Sequence, residues 1–136
     1  MKSTSLHFLK QAAQYQQAGE LDLADECCRC ALADAPAQPD ALHLLAVVCA
    51  QRKQHKEALQ WFGAAAQANP ANPDVHANWA NALWEGGDYR ASGAACQTAL
   101  AINPIHAQAL NVWGNVLLSQ HLPAQAAAVF QQLLAV

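Results

Sequence analysis

Apolar residues recur along this chain at helical spacing, in stretches of about a dozen residues separated by short polar breaks. The same order of apolar and small residues returns every 34 positions, and Pro36, Pro70 and Pro104 mark this period. Small residues fill two shared positions of the repeat, namely Ala12, Ala46, Ala80 and Gly114 in the first and Ala24, Ala58, Ser92 and Ala126 in the second. A period of this length predicts a tandem array of helical repeats.

Each repeat contains two helical stretches on either side of a break, which predicts an antiparallel helical hairpin. Gly19 and Gly87 mark the corner between the two helices, and Pro123 suits the first turn of a helix. The small residues let the two helix axes approach closely. Because one hairpin leaves an apolar side in water, the hairpins are expected to stack. The predicted repeats are 5–38, 39–72, 73–106 and 107–136, after a short N-terminal tail of residues 1–4.

The third repeat carries the clearest motif. Its segment 78–83, Asn-Trp-Ala-Asn-Ala-Leu, is followed by Gly-Asp-Tyr at 87–89 and Ile-Asn-Pro at 102–104. These residues resemble the consensus of the tetratricopeptide repeat (TPR) family, and the resemblance covers about residues 5 to 136. It implies an all-α, right-handed α-solenoid of about three and a half to four TPR repeats. It also implies a protein-binding scaffold, and it leaves the partner open.

Charge and hydropathy narrow the kind of partner. The net charge is −3, and the seven basic residues are scattered without a cluster, so neither nucleic acid nor an anionic membrane surface is expected as a partner. No apolar run reaches membrane-spanning length. The N-terminal residues 1–8 lack the apolar core of a secretion signal, so a cytoplasmic location is expected.

The sequence contains none of the motifs that carry common catalytic chemistry. There is no phosphate-binding glycine loop, no nucleophile elbow and no His-Glu-x-x-His string among its six histidines. We therefore expect this segment not to be an enzyme and to hold no metal or cofactor. A catalytic domain beyond Val136 stays open at this point.

An odd number of cysteines, five, favours free thiols over a disulfide framework. Three occupy apolar positions of the repeat and are expected in the core, namely Cys28, Cys49 and Cys96. The run Cys27-Cys28-Arg29-Cys30 cannot bind one metal ion with all its thiols, because adjacent helical residues point about 100° apart. A redox role of Cys27 or Cys30, with Arg29 lowering a thiol pKa, is a minor alternative.

Partner binding is expected on the first helix of each hairpin, which lines the concave face in this family. Helical spacing selects a candidate set there, namely Asp74, Asn78, Asn81, Trp84, Asn111, Asn115 and His43. An asparagine offers both donors and an acceptor, so it can bond the main chain of an extended peptide. Trp84 would supply an amphipathic anchor. Alternatively, Asn81, Asn115 and Trp84 hold neighbouring helices together, and His76 is expected to be a packing residue.

Two groove chemistries of the family fit only in part. A clamp for a peptide carboxylate needs several basic residues, and the corresponding positions offer only Lys10. The asparagine ladder of O-linked N-acetylglucosamine transferases is closer, since Asn78 stands at a ladder position. The equivalent positions hold Lys10, Leu44 and Val112. The second repeat is also similar to repeats that precede bacterial glycosyltransferase domains, so a substrate-presenting arm is one alternative.

The last part of the chain lacks charge, because no Asp, Glu, Lys or Arg follows Arg90. The final helix is apolar on more than one side, whereas a terminal repeat normally presents a polar cap. We expect something to cover it. Either the natural chain continues, which we prefer, or the end self-associates into a homodimer through Val129, Leu133 and Leu134. The leading hypothesis is thus a peptide-binding scaffold, and its rival is a self-assembly module.

Overall fold

The structure, a computed structural model, describes residues 3–136 and contains eight α-helices and no β-strand in this range. The helices are α1 (Ser3–Gln17), α2 (Leu21–Asp34), α3 (Pro39–Gln51), α4 (His55–Ala68), α5 (Pro73–Glu85), α6 (Tyr89–Ile102), α7 (Ala107–Ser119) and α8 (Pro123–Leu134). They form two compact units, of which unit 1 ends at Pro70 and unit 2 spans Ala71–Val136. Each unit consists of two helical hairpins.

The ends of the helices follow the expected chemistry. Pro39 and Pro73 occupy the first positions of α3 and α5, where a missing N–H costs nothing. The side chain of Gln38 accepts a hydrogen bond from the N–H of Ala41 at 2.9 Å, which caps α3. Helix α1 begins at Ser3, so residues 3 and 4 of the predicted tail are helical, while residues 1 and 2 lie outside the described part of the chain.

The corner inside every hairpin uses a left-handed residue at the same repeat position. These residues are Gly19 (φ 79°), Lys53 (φ 64°), Gly87 (φ 88°) and His121 (φ 62°). In the third hairpin the N–H of Asp88 bonds the carbonyl of Leu83 at 3.0 Å, which closes the end of α5. The predicted glycine corners are confirmed. Lys53 and His121 adopt the same backbone without glycine, at a cost of roughly 1 kcal/mol each.

The two helices of each hairpin cross at the small residues. All eight positions of the two small columns are buried. In the third hairpin the hydroxyl of Ser92 donates to the carbonyl oxygen of Ala80 at 2.7 Å, so a side chain of α6 contacts the backbone of α5 directly. In the fourth hairpin, a Cβ atom at Gly114 would lie 2.5 Å from the ring of Phe130. The predicted close approach of the two helix axes at the small residues is therefore confirmed.

Asp25 makes an ionic contact between the two hairpins of unit 1. The carboxylate of Asp25, whose side chain is 10% exposed, lies 2.6 Å from Nε of Arg29 and 3.0 Å from a terminal nitrogen of Arg52. Arg52 also reaches Asp22 at 3.1 Å. Because Arg52 follows α3 while both carboxylates lie on α2, the two hairpins are joined by charge-assisted hydrogen bonds.

At the position in unit 2 that is equivalent to Asp25, the contact is apolar. Gly93 stands 68 positions after Asp25, and a Cβ atom there would lie 3.0 Å from the ring of Trp113. The indole of α7 thus packs on the backbone of α6 in place of an ion pair. His76, as predicted, is a packing residue with 8% exposure.

The Gly114→Ala variant tests the close crossing of α7 and α8. The added methyl group overlaps the ring of Phe130, and we expect this overlap to lower the free energy of unfolding by about 1–3 kcal/mol. Gly86→Ala is the matched control, because its Cβ would meet only ordinary contacts at 3.5 Å or more. Chemical denaturation followed by circular dichroism measures both. Equal stability of the two variants would contradict the close crossing of these helices.

Candidate functional site

Polar side chains collect on one face of unit 2, where α5 packs beside α7. We call this the α5–α7 face, defined by Asp74, Asn78, Asn81 and Glu85 on α5 and by Gln108, Asn111 and Asn115 on α7. On each helix these residues stand three or four positions apart, so they share one side of the helix. Two carboxylates lie on this face, and none of the seven residues is basic.

Two side-chain hydrogen bonds join the helices across this face. Nε2 of His106 lies 2.7 Å from Oδ1 of Asp74, and Nδ1 of the same ring accepts from the N–H of Ala109 at 3.2 Å. Since Nδ1 accepts, the proton is assigned to Nε2, which donates to the carboxylate. Beside this pair, Nε2 of Gln108 donates to Oδ1 of Asn78 at 2.8 Å. Asp74 and Asn78 therefore help to hold the two helices in register.

The other asparagines of the face differ in how far they are engaged. Nδ2 of Asn81 donates to Glu85, one turn further along α5, at 3.3 Å. Asn111 is exposed and Asn115 is half-buried on α7. The side-chain amides of Asn111 and Asn115 have no hydrogen-bond partner within residues 3–136, so both can bond an incoming group.

Trp84 and His43, the two ring-bearing candidates, pack inside their own units. The ring of Trp84 lies 6.4 Å from that of Tyr89, and its Nε1 is buried without a hydrogen-bond partner in the described part of the chain. His43 belongs to α3 in unit 1, where its ring lies 6.2 Å from that of Phe62 on α4. The structure thus groups neither ring with the amides of Asn111 and Asn115.

Sequence reasoning left two residues of this region out of the candidate set. Gln108 holds Asn78, and Leu118 is 49% exposed on α7, three residues beyond Asn115. Leu118 follows Asn111 by seven positions and Asn115 by three, which places it on the same side of α7, but an apolar residue was not read as part of a polar site. Val112, which stands at a ladder position of the groove because it is equivalent to Asn78, is buried with 2% exposure. That placement was wrong, because Val112 packs into the core of unit 2.

The end of unit 2 exposes apolar side chains. Leu134 is 86% exposed and Val136 is 56% exposed. Val129 and Leu133, the other residues predicted for self-association, are half-buried. Leu134 is therefore the residue of this set that is most available to another molecule.

Three of the five cysteines, Cys28, Cys49 and Cys96, are buried, whereas Cys27 is half-buried and Cys30 is exposed. Burial raises the pKa of Cys28 and of Cys96 to about 12, and that of Cys49 to about 11. The pKa of Cys27 is also raised, by burial and by its neighbours Cys30 and Glu26. The suggestion that Arg29 activates Cys27 was wrong, because the guanidinium is held by Asp25 and Glu57.

Neither a metal site nor a membrane helix is found in the region that the structure describes. Among residues 3–136, no three His, Cys, Asp or Glu side chains come together in a way that would hold a metal ion. In the same range, every helix is too short or too polar to span a lipid bilayer.

With this geometry in place, the fold identifies a class of protein, an all-α helical-repeat scaffold. A family model described as tetratricopeptide repeat matches residues 9–73 and 78–135. This match covers more than half of the chain, and the chain belongs to the tetratricopeptide repeat family. The predicted resemblance is confirmed. None of the curated proteins matches this chain.

Solved structures share the fold. The crystal structure of MamA has a TM-score of 0.89 at 17% identity, over 96% of this chain and 77% of MamA. A Pseudomonas aeruginosa PilF structure has a TM-score of 0.90 at 25% identity, over 98% of this chain and 61% of PilF. The O-GlcNAc transferase of Thermobaculum terrenum has a TM-score of 0.80 at 23% identity, over 85% of this chain and 22% of the enzyme. The all-α solenoid class is confirmed, and folds of this class are typically non-catalytic protein-interaction scaffolds.

The buried thiols predict a loss of stability at alkaline pH. The pKa values of these thiols in the folded chain lie above the ordinary value of 9.0. The contribution of the thiols to the free energy of unfolding is therefore complete below pH 9 and is lost as the pH rises toward 11. Each such thiol should lower the free energy of unfolding by about 1.4 kcal/mol per pH unit in this window. Urea denaturation between pH 8 and 11 measures the slope. The Cys96→Ala variant should have a smaller slope, because the contribution of one thiol is removed. An unchanged slope would argue against the burial of Cys96.

Proposed function

We propose that the α5–α7 face binds an extended segment of a partner protein, with Asn111 and Asn115 bonding its main chain. The fold supports a protein-interaction scaffold in general. The α5–α7 face supplies the hydrogen-bonding side chains. The observation that carries the proposal is the pair of side-chain amides on α7 without partners in residues 3–136.

The spacing of the two amides suits an extended chain. Asn111 and Asn115 stand four residues apart on α7, which is about 6 Å along a helix axis. Alternate residues of an extended peptide repeat every 6.6 Å or so, which is close to that distance. Each amide can therefore bond main-chain groups of alternate peptide residues. Such recognition tolerates many side chains on the peptide.

The remaining residues of the face add position and charge. His106 holds Asp74, whose side chain is 66% exposed, and Gln108 holds Asn78. Both side chains are therefore fixed on the α5–α7 face. Asn81 and Glu85 bond each other along α5. Because the face carries carboxylates without basic side chains, a segment with lysine or arginine is favoured over an acidic one. In this scheme Leu118 contacts an apolar side chain of the bound segment.

The binding test uses peptides selected by the whole chain from a random 12-residue phage library. Loss of two main-chain hydrogen bonds in Asn111→Ala combined with Asn115→Ala should weaken the selected peptides roughly tenfold or more. Isothermal titration calorimetry measures this change. Gln125→Ala, an exposed amide on α8, is the control and should bind as the unaltered chain does. Equal binding by both variants would remove the α5–α7 face from consideration.

The exposed end of unit 2 favours a second candidate function, self-association. Leu134 at 86% exposure and Val136 at 56% give an apolar patch that two copies would bury between them. If so, Leu134→Lys should convert dimers to monomers without loss of stability, since this side chain makes little contact within its own chain. Sedimentation equilibrium gives the particle mass. A monomer in the unaltered chain would end this candidate.

A further inference from the structure

A cavity of about 640 Å³ lies in unit 2, apart from the α5–α7 face. It opens between the second helices of the two hairpins, α6 and α8. Leu100 and Pro104 form one wall and Val129 the other, while Leu110 and Trp113 of α7 contribute to the lining. At its edge, Ile105 is 66% exposed. Gln132, Ala135 and Val136 complete the lining, so the cavity is mostly apolar but includes one side-chain amide.

Unit 1 has a smaller cavity at the same place in the repeat. Its volume is about 360 Å³, and it is lined by Arg29, Leu32, Ala33, Pro36 and Trp61. Leu32, Pro36 and Trp61 stand 68 positions before Leu100, Pro104 and Val129, which is two repeat periods. The two units thus offer an internal comparison in which the backbone position is shared and the side chains differ.

The two cavities differ in the side chain at the position of Trp61. In unit 1, Trp61 lines the groove, and the guanidinium of Arg29 lies 5.8 Å from the centre of its ring. Leu45 of α3, which corresponds to Trp113, is fully buried there. In unit 2, Val129 replaces the tryptophan, and Trp113 is only half-buried. At the position of Trp61, unit 2 thus has the smaller side chain of Val129, and the cavity beside it is lined by the ring of Trp113.

The absence of charged side chains around the larger cavity restricts the groups that can bind in it. Residues 91–136 contain no Asp, Glu, Lys or Arg, and Gln97 stands where unit 1 has Arg29. A charged group placed here would lose water without gaining an ionic partner. The complementary occupant is accordingly an uncharged one.

We propose that this cavity binds an aromatic side chain, indole in the first instance, carried by an uncharged segment of a partner protein. The bound ring takes the place that Trp61 holds in unit 1 and covers Trp113 and Leu110. This site uses none of the seven residues that define the α5–α7 face, so it does not depend on whether that face binds a peptide. One partner with an extended segment and a separate aromatic anchor would engage both.

The test uses N-acetyl-tryptophanamide, an uncharged indole, and the whole chain with labelled methyl groups. Titration followed by NMR should give saturable shifts of the methyl signals of Ile105, Leu110 and Val129. In Val129→Trp the cavity is filled from within, and the shifts of Ile105 and Leu110 should be lost. Ala127→Trp, which places the same side chain on an exposed position of α8, is the matched control and should keep them.

A reciprocal variant tests the same idea in unit 1. Trp61→Val removes the resident indole and should create a second saturable site, seen as new shifts at the methyl groups of Leu32. This variant keeps the proposal testable even if Val129→Trp does not fold.

Three results would overturn the proposal. The first is the absence of saturable shifts up to the solubility limit of the indole. The second is unchanged binding by a folded Val129→Trp variant. The third is a fall in particle mass caused by Val129→Trp, which would assign the cavity to a second copy of the chain.

Discussion

The contact between small residues at the helix crossing is the constraint on which each hairpin depends. Ala80 and Ser92 show it most directly, because the hydroxyl of Ser92 bonds the backbone oxygen of Ala80 at 2.7 Å. Gly114 shows it in a second way, because the ring of Phe130 occupies the space that a Cβ would need. Helix axes brought this close leave grooves of fixed shape, and the larger apolar residues fill them. The recurrence of these positions in all the repeats explains why one hairpin geometry recurs along the chain.

At one equivalent position between their hairpins, the two units use different kinds of contact. In unit 1 a nearly buried carboxylate, Asp25, is satisfied by Arg29 and Arg52, which compensates the loss of its water. In unit 2 the ring of Trp113 packs on Gly93, and no charge is buried at that position. Unit 2 also has no charged side chain after Arg90. This neutrality surrounds the cavity of unit 2, whereas the α5–α7 face keeps the carboxylates of Asp74 and Glu85.

Those two sites share α7 but use different residues and different chemistry. First helices α5 and α7 present amides and carboxylates, which suit hydrogen bonding to a main chain. Second helices α6 and α8, together with α7, line a mostly apolar cavity, which suits the burial of a ring. Because a repeat scaffold holds both sets of helices rigidly through the same small-residue crossings, the two sites have a fixed spacing within unit 2. A partner that engages both would be selected by that spacing as well as by its chemistry.

The sequence by itself determined the repeat period, the helical hairpins and the family, because these depend on local spacing and on small residues that recur at fixed positions. It also identified Asn111 and Asn115 as residues of one helix face. Tertiary structure decided how far each side chain is engaged. Gln108 reaches Asn78 from another helix, Trp84 packs on Tyr89, and Val112 turns into the core. Periodicity assigns a residue to a side of its own helix. The neighbouring helix decides whether that side faces water or a partner, and its position follows only from packing.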